Sequence, residues 1–137
     1  MEEHFKLSDS EFENEFSNCT LNPEFFSHEA HIRLAWIHID KYGIEQATEN
    51  IQTQLKKYVD TIGAADKYNV TLTVAAIKAV YHYMLRSNSK NFSDFSAEFP
   101  QLKVKFKELM YRHYGFDIYN SIEAKLQFME PALIPFD

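Results

Sequence analysis

Only three glycines punctuate the 137 residues, and each stands where a stripe of apolar residues at helical spacing stops. Between Gly43 and Gly63, residues Ile44, Ala47, Ile51, Leu55, Tyr58 and Ile62 recur three or four apart. Gln46, Glu49, Gln52, Lys56 and Asp60 fall on the other side. That pattern predicts an amphipathic helix from about Ile44 to Ile62. Before Gly43, Ser27 is a fit N-cap and Phe26 can staple against Ile32 or a neighbour. Stepping 100° per residue from His28 puts His28, Ile32, Ala35, Ile39 and Tyr42 on one face, with His31 at its edge. Glu29, Arg33 and Asp40 fall opposite, so the two histidines are expected to face the core. Before Gly115, a helix from Gln101 to Tyr114 follows Pro100, with Leu102, Phe106, Leu109 and His113 as its stripe. A chain with so few breaks is built of long helices.

The remaining segments agree. Leu7-Ser8-Asp9-Ser10 opens a first helix with Phe12 and Phe16 at i and i+4, and it stops near Cys19-Thr20 before an Asn22-Pro23 turn. A fourth helix begins between Lys67 and Thr71 and runs to about Ser87. Asn69, Thr73, Ala76, Val80 and Met84 share a face, and Val74, Ile77 and Leu85 make it apolar over most of its circumference. The run Val70–Val74 also suits a strand, but no second strand is available to pair with it. A loop at Ser87–Asn91 precedes a short helix anchored by Phe92, Phe95 and Phe99. Ser121 caps a last short helix ending at Glu130-Pro131, and the tail from Ala132 to Asp137 lies on the surface. The expectation is an all-α, single-domain helical bundle over residues 1–137, with about five main helices plus one or two short ones.

Composition excludes several functions. A net charge of −6 argues against nucleic-acid binding, which needs a basic surface. The one cysteine, Cys19, cannot form an internal disulfide and fits a reducing, cytoplasmic setting. No apolar run is long enough for a membrane span, and the acidic start is not a signal peptide. Twelve Phe and eight Tyr predict an aromatic-rich core.

Short links between consecutive helices make them antiparallel. That order gathers His28, His31, Tyr68, Asn69, Thr73 and His113 at one end, as a polar pocket for a small molecule. In an enzymatic version a histidine would be the general acid/base. The pocket is weighed against two alternatives. In one, the histidines are hydrogen-bonded core residues of a helical protein–protein interaction module. In the other, His28, His31 and His113 bind a metal, since a His-x-x-His pair chelates once a third ligand joins it. Cys19 has no context that marks a nucleophile. His4, His38 and His82 read as surface or edge residues, and Glu29 with Arg33 as a helix-supporting pair. The sequence names no substrate, reaction, cofactor or oligomeric state.

Phe26-Ser27-His28-Glu29-Ala30-His31-Ile32-Arg33-Leu34-Ala35-Trp36 resembles the F-[TS]-H-x-x-H-[LVI]-R-x-A-W signature of a group of small, poorly characterised bacterial helical proteins. Tyr68-Asn69-Val70-Thr71-Leu72-Thr73 is similar to its Y-H-x-T-x-T block, and Glu130-Pro131-Ala132-Leu133-Ile134-Pro135 to its closing E-P-D-L-x-P. The resemblance implies a shared all-helical fold and supplies no activity. It also implies a third histidine where this chain has Asn69, and an aspartate where it has Ala132. Any metal site of that group would be weakened or altered here.

Overall fold

Side-chain caps decide where the helices begin. Ser8 and Glu11 form a reciprocal capping box that opens α1 (Asp9–Ser17). The Ser27 hydroxyl accepts from Ala30 N and opens α2 (His28–Tyr42). Gly43, at φ 83°, ends α2 and lets α3 (Ile44–Thr61) start at the next residue. Asn69 caps α4 (Val70–Met84), and Asn91 caps α5 (Phe92–Glu98). α6 (Gln101–Val104) and α7 (Phe106–Tyr114) follow, and Ser121 caps α8 (Ile122–Leu126). The computed structural model describes residues 1–136, and among them every regular element is helical. The all-α class is therefore as the apolar spacing indicated.

The chain parts into two compact units, Met1–Tyr68 and Asn69 onward. In the first, α3 folds back along α2 and α1 packs against both. Its core holds Phe12, Phe16, Leu21, Leu34, Ile51, Leu55 and Tyr58. The Tyr58 hydroxyl donates to Leu21 O at 2.9 Å, so the ring is buried with its polar tip satisfied. At the far end of α2, Glu13 of α1 accepts from Lys41 at 2.9 Å and from the Tyr42 hydroxyl. A single turn of 3-10 helix, Glu3–Lys6, precedes α1.

In the second unit, α4 packs on α8. Asn69 is a buried N-cap rather than a residue of the helix face. Its Oδ1 accepts from Leu72 N and its Nδ2 donates to Ile118 O, both at 2.9 Å. Thr71 Oγ1 donates to Gln127 O at 2.8 Å and accepts from Met129 N at 2.9 Å, which ties down the chain beyond α8. The expected helix from Gln101 to Tyr114 is broken at Lys105 (φ −128°, ψ 28°). The break re-phases the stripe: Phe106, Met110 and Tyr114 are buried, while Leu109 and His113 lie half-buried beside them. α8 stops at Leu126, short of Glu130, because Gln127 turns to extended backbone. The tail is exposed but held. Leu133 N and Ile134 N donate to His113 O, and Leu133 sits against Gly115, where a Cβ would lie 2.8 Å from its Cδ1. Asp137 lies outside the described residues.

Asn69→Ala removes a cap and leaves Ile118 O without its partner. We expect a loss of about 2–3 kcal/mol in urea unfolding, from a cap worth about 1 kcal/mol plus an unsatisfied buried carbonyl. Asn69→Asp keeps the cap and loses only the donor, so it should fall between. Wild-type stability in Asn69→Ala would refute this role.

Candidate functional site

The polar centre of the first unit is Arg33, on the second turn of α2 and only 4% exposed. Its Nη1 donates to His4 O at 2.7 Å, and its Nη2 to Leu7 O at 2.9 Å and Asp9 Oδ1 at 2.9 Å. The guanidinium lies over Phe5 and Phe12, 5.5 and 5.0 Å from the ring centroids. One side chain thus fastens residues 4–9 across α2. Glu29, one turn earlier, is also buried and meets His4 Nε2 at 2.8 Å. Helical spacing had placed Glu29 and Arg33 outward and His4 on the surface. The structure corrects all three: residues 2–7 cover that face, and His4 is 0% exposed.

The ligand atoms of Glu2, His4 and Glu29 lie within 4.8 Å of one another, a spacing that suits a three-ligand cation site. Proton accounting speaks against that use. Arg33 Nη1 is 3.3 Å from His4 Nδ1, and a guanidinium has no acceptor, so Nδ1 holds the lone pair. The Nε2 of the neutral ring then carries the proton and donates to Glu29. The nitrogen facing the carboxylates has no lone pair for a metal, and the other faces a fixed cation. The Ser27 hydroxyl donates to Glu2 Oε1, which further commits that carboxylate. Burial is the largest influence on His4 and pulls its pKa below the ordinary value; Glu29 pushes back and Arg33 pulls it down again. The cluster is a latch of hydrogen bonds around a neutral imidazole.

His28 and His31 occupy the first turn of α2 and both keep accessible surface, contrary to the expected inward aspect. The reason is the latch. It buries the Glu29 and Arg33 side of this turn, and from Ile32 to Ile39 every residue of α2 is buried. Phe26 stacks on His31, the neighbour of Ile32, with centroids 3.7 Å apart and planes at 22°. Crowded protein surroundings, then the neighbouring His28, hold the His31 pKa down to about 4. Its accessible surface lets water screen part of that effect, and the lowered pKa leaves His31 neutral at neutral pH.

The other expected site residues have local partners. Tyr68 closes the first unit, its ring 5.8 Å from Lys56 Nζ. Asn69 and Thr73 are brought together at the start of α4, where Thr73 Oγ1 donates to Asn69 O at 2.8 Å. His113 turns to the tail: its Nδ1 meets Ile134 O at 2.8 Å and its ring stacks on Phe136 at 4.2 Å. A carbonyl only accepts, so His113 Nδ1 carries a proton and donates. In the second unit Lys107, Tyr111, Phe116 and Tyr119 line an open recess of about 380 Å³, mostly apolar and with charges at its rim.

His38 is a further correction, being fully buried between helices rather than at an edge. Its i+4 spacing from Leu34 was the signal that could have shown this. For His4 no pattern existed, because its burial depends on a contact 25 residues away. Among the described residues, no helix is long and apolar enough to cross a membrane. No protein-family model, curated protein or solved structure matches the chain.

Two outcomes follow. Arg33→Met should destabilise the protein by about 2–4 kcal/mol, since two carbonyls and an aspartate lose a charged donor. It should also speed proteolysis within residues 1–9; an unchanged urea midpoint and cleavage pattern would count against the latch. The buried His4 and His38 both have lowered pKa values, chiefly through burial. Each takes up a proton more readily unfolded than folded. Stability is therefore full above the ordinary value of 6.5 and falls as pH drops below it. Thermal melts across that window should show the midpoint declining.

Proposed function

We propose that the protein binds a small molecule through His28 and His31. One observation carries this reading: two accessible imidazoles share the first turn of a helix that is buried from Ile32 to Ile39, one of them braced face-on against Phe26. A neutral imidazole offers one donor and one acceptor without charge. That suits an uncharged or aromatic ligand that stacks beside Phe26 and hydrogen-bonds to the rings. It suits binding better than catalysis, because lowering the His31 pKa below the ordinary value weakens the ring as a general base at neutral pH.

A second reading has the same pair coordinate a divalent metal. The neutral imidazole is the ligating form, and that favours it. The histidine-rich block resembling the bacterial helical group is the same stretch, and the single cysteine fits a cytoplasmic protein; both belong to this proposal.

The test is a thermal-shift screen of wild type and His28→Ala/His31→Ala, with a library of small aromatic and polar compounds and, separately, zinc chloride. Circular dichroism checks that the variant folds. A saturable shift with an organic compound, lost in the variant, supports the first reading. A shift with zinc alone moves the function to metal. If wild type and variant respond alike to every probe, the pair is not the site.

A further inference from the structure

We infer that the α2–α3 interface encloses a polar cavity built to hold a single internal water, bridging His38 to Gln54. Two sealed atoms point to it. His38 Nε2 and Gln54 Oε1 are both buried and neither has a hydrogen-bond partner in the protein. Buried polar atoms are almost always paired, with protein or with ordered water, so a pair of orphans marks a place where something is bound.

Their chemical senses are opposite. Gln46 Nε2 donates to Asn50 Oδ1 at 2.7 Å, which turns Asn50 Nδ2 towards His38 Nδ1 at 3.5 Å. Nδ1 is then the acceptor, and Nε2 of the neutral ring carries the proton. So the interior presents one donor, His38 Nε2–H, and one acceptor, Gln54 Oε1. A water molecule accepts from the first and donates to the second. A cation would meet the N–H and is excluded by the same argument.

The helix geometry makes the two atoms converge. Asn50 and Gln54 are four apart on α3 and share the face that meets His38. Side chains lean towards the N-terminus of their own helix. Because α3 runs back along α2, His38 leans towards the level of Gln54, and Gln54 leans towards the level of His38. They do not bond each other directly, so a bridging molecule is needed to satisfy both.

This inference is independent of the His28–His31 reading, which lies on the first turn of the same helix. It is tested by NMR on the full chain. Long-range nitrogen–proton spectra should show His38 protonated at Nε2, and its Nε2–H should give a cross-peak to a slowly exchanging water. Gln54→Met should keep the overall spectrum and lose that cross-peak. A high-resolution crystal structure should show one spherical density within hydrogen-bond reach of both atoms. A proton on Nδ1, a direct His38–Gln54 hydrogen bond, or a dry gap with no density would each overturn it.

Discussion

A buried guanidinium dictates the layout of the first unit. Arg33 cannot lose its proton, so wherever the fold buries it, acceptors must be brought to it. The chain supplies the carbonyls of His4 and Leu7 and the carboxylate of Asp9. These groups lie just before and at the start of α1, so satisfying Arg33 fixes where α1 begins relative to α2. The aromatic rings of Phe5 and Phe12 beside the guanidinium come from the same segment. Hydrophobic burial alone would let this stretch slide along α2; the directional bonds give it one position.

The same constraint propagates through protons. With Arg33 fixed, His4 has only one usable tautomer, and that tautomer selects Glu29 as its partner. Asn50 does the same for His38 within the α2–α3 interface. In the second unit the carbonyl of Ile134 sets the proton of His113. In all three cases a group of fixed sense decides what a histidine can do next. His113 has its Nδ1 proton committed to the tail, whereas His4 and His38 accept at Nδ1 and present N–H at Nε2. A residue count treats these three as equal candidates for a ligand; proton accounting separates them.

The helices were legible in the sequence because their signals are local. Ser27 and Ser121 cap where their spacing from the next apolar run said they would, and Gly43 and Gly115 stop helices at positive φ. What lay hidden depended on distant contacts. Glu29 and Arg33 have the spacing of a solvated surface pair, and only the strap of residues 2–7 turns their side inward. The break at Lys105 carries no glycine or proline, so the stripe through Leu109 and His113 could not be told from the one through Met110 and Tyr114. Asn69 looked like an altered ligand in a histidine motif; it is a cap whose amide also reaches Ile118 O.

The latch and the histidine pair are two sides of one helical turn. Residues 28 and 31 point one way at 100° per residue, and 29 and 33 point nearly the opposite way. Burying the second pair against the strap therefore presents the first pair outward. It also holds that turn rigid, since Glu29 and Arg33 are fixed by bonds to segments about 25 residues earlier. A binding group placed on such a turn loses little freedom when a ligand arrives, which is where preorganised sites gain their affinity. In the proposed binding role the charged residues inside the FSHEAHIR block and the imidazoles between them would do one job. The charges hold the backbone, and the backbone aims the rings.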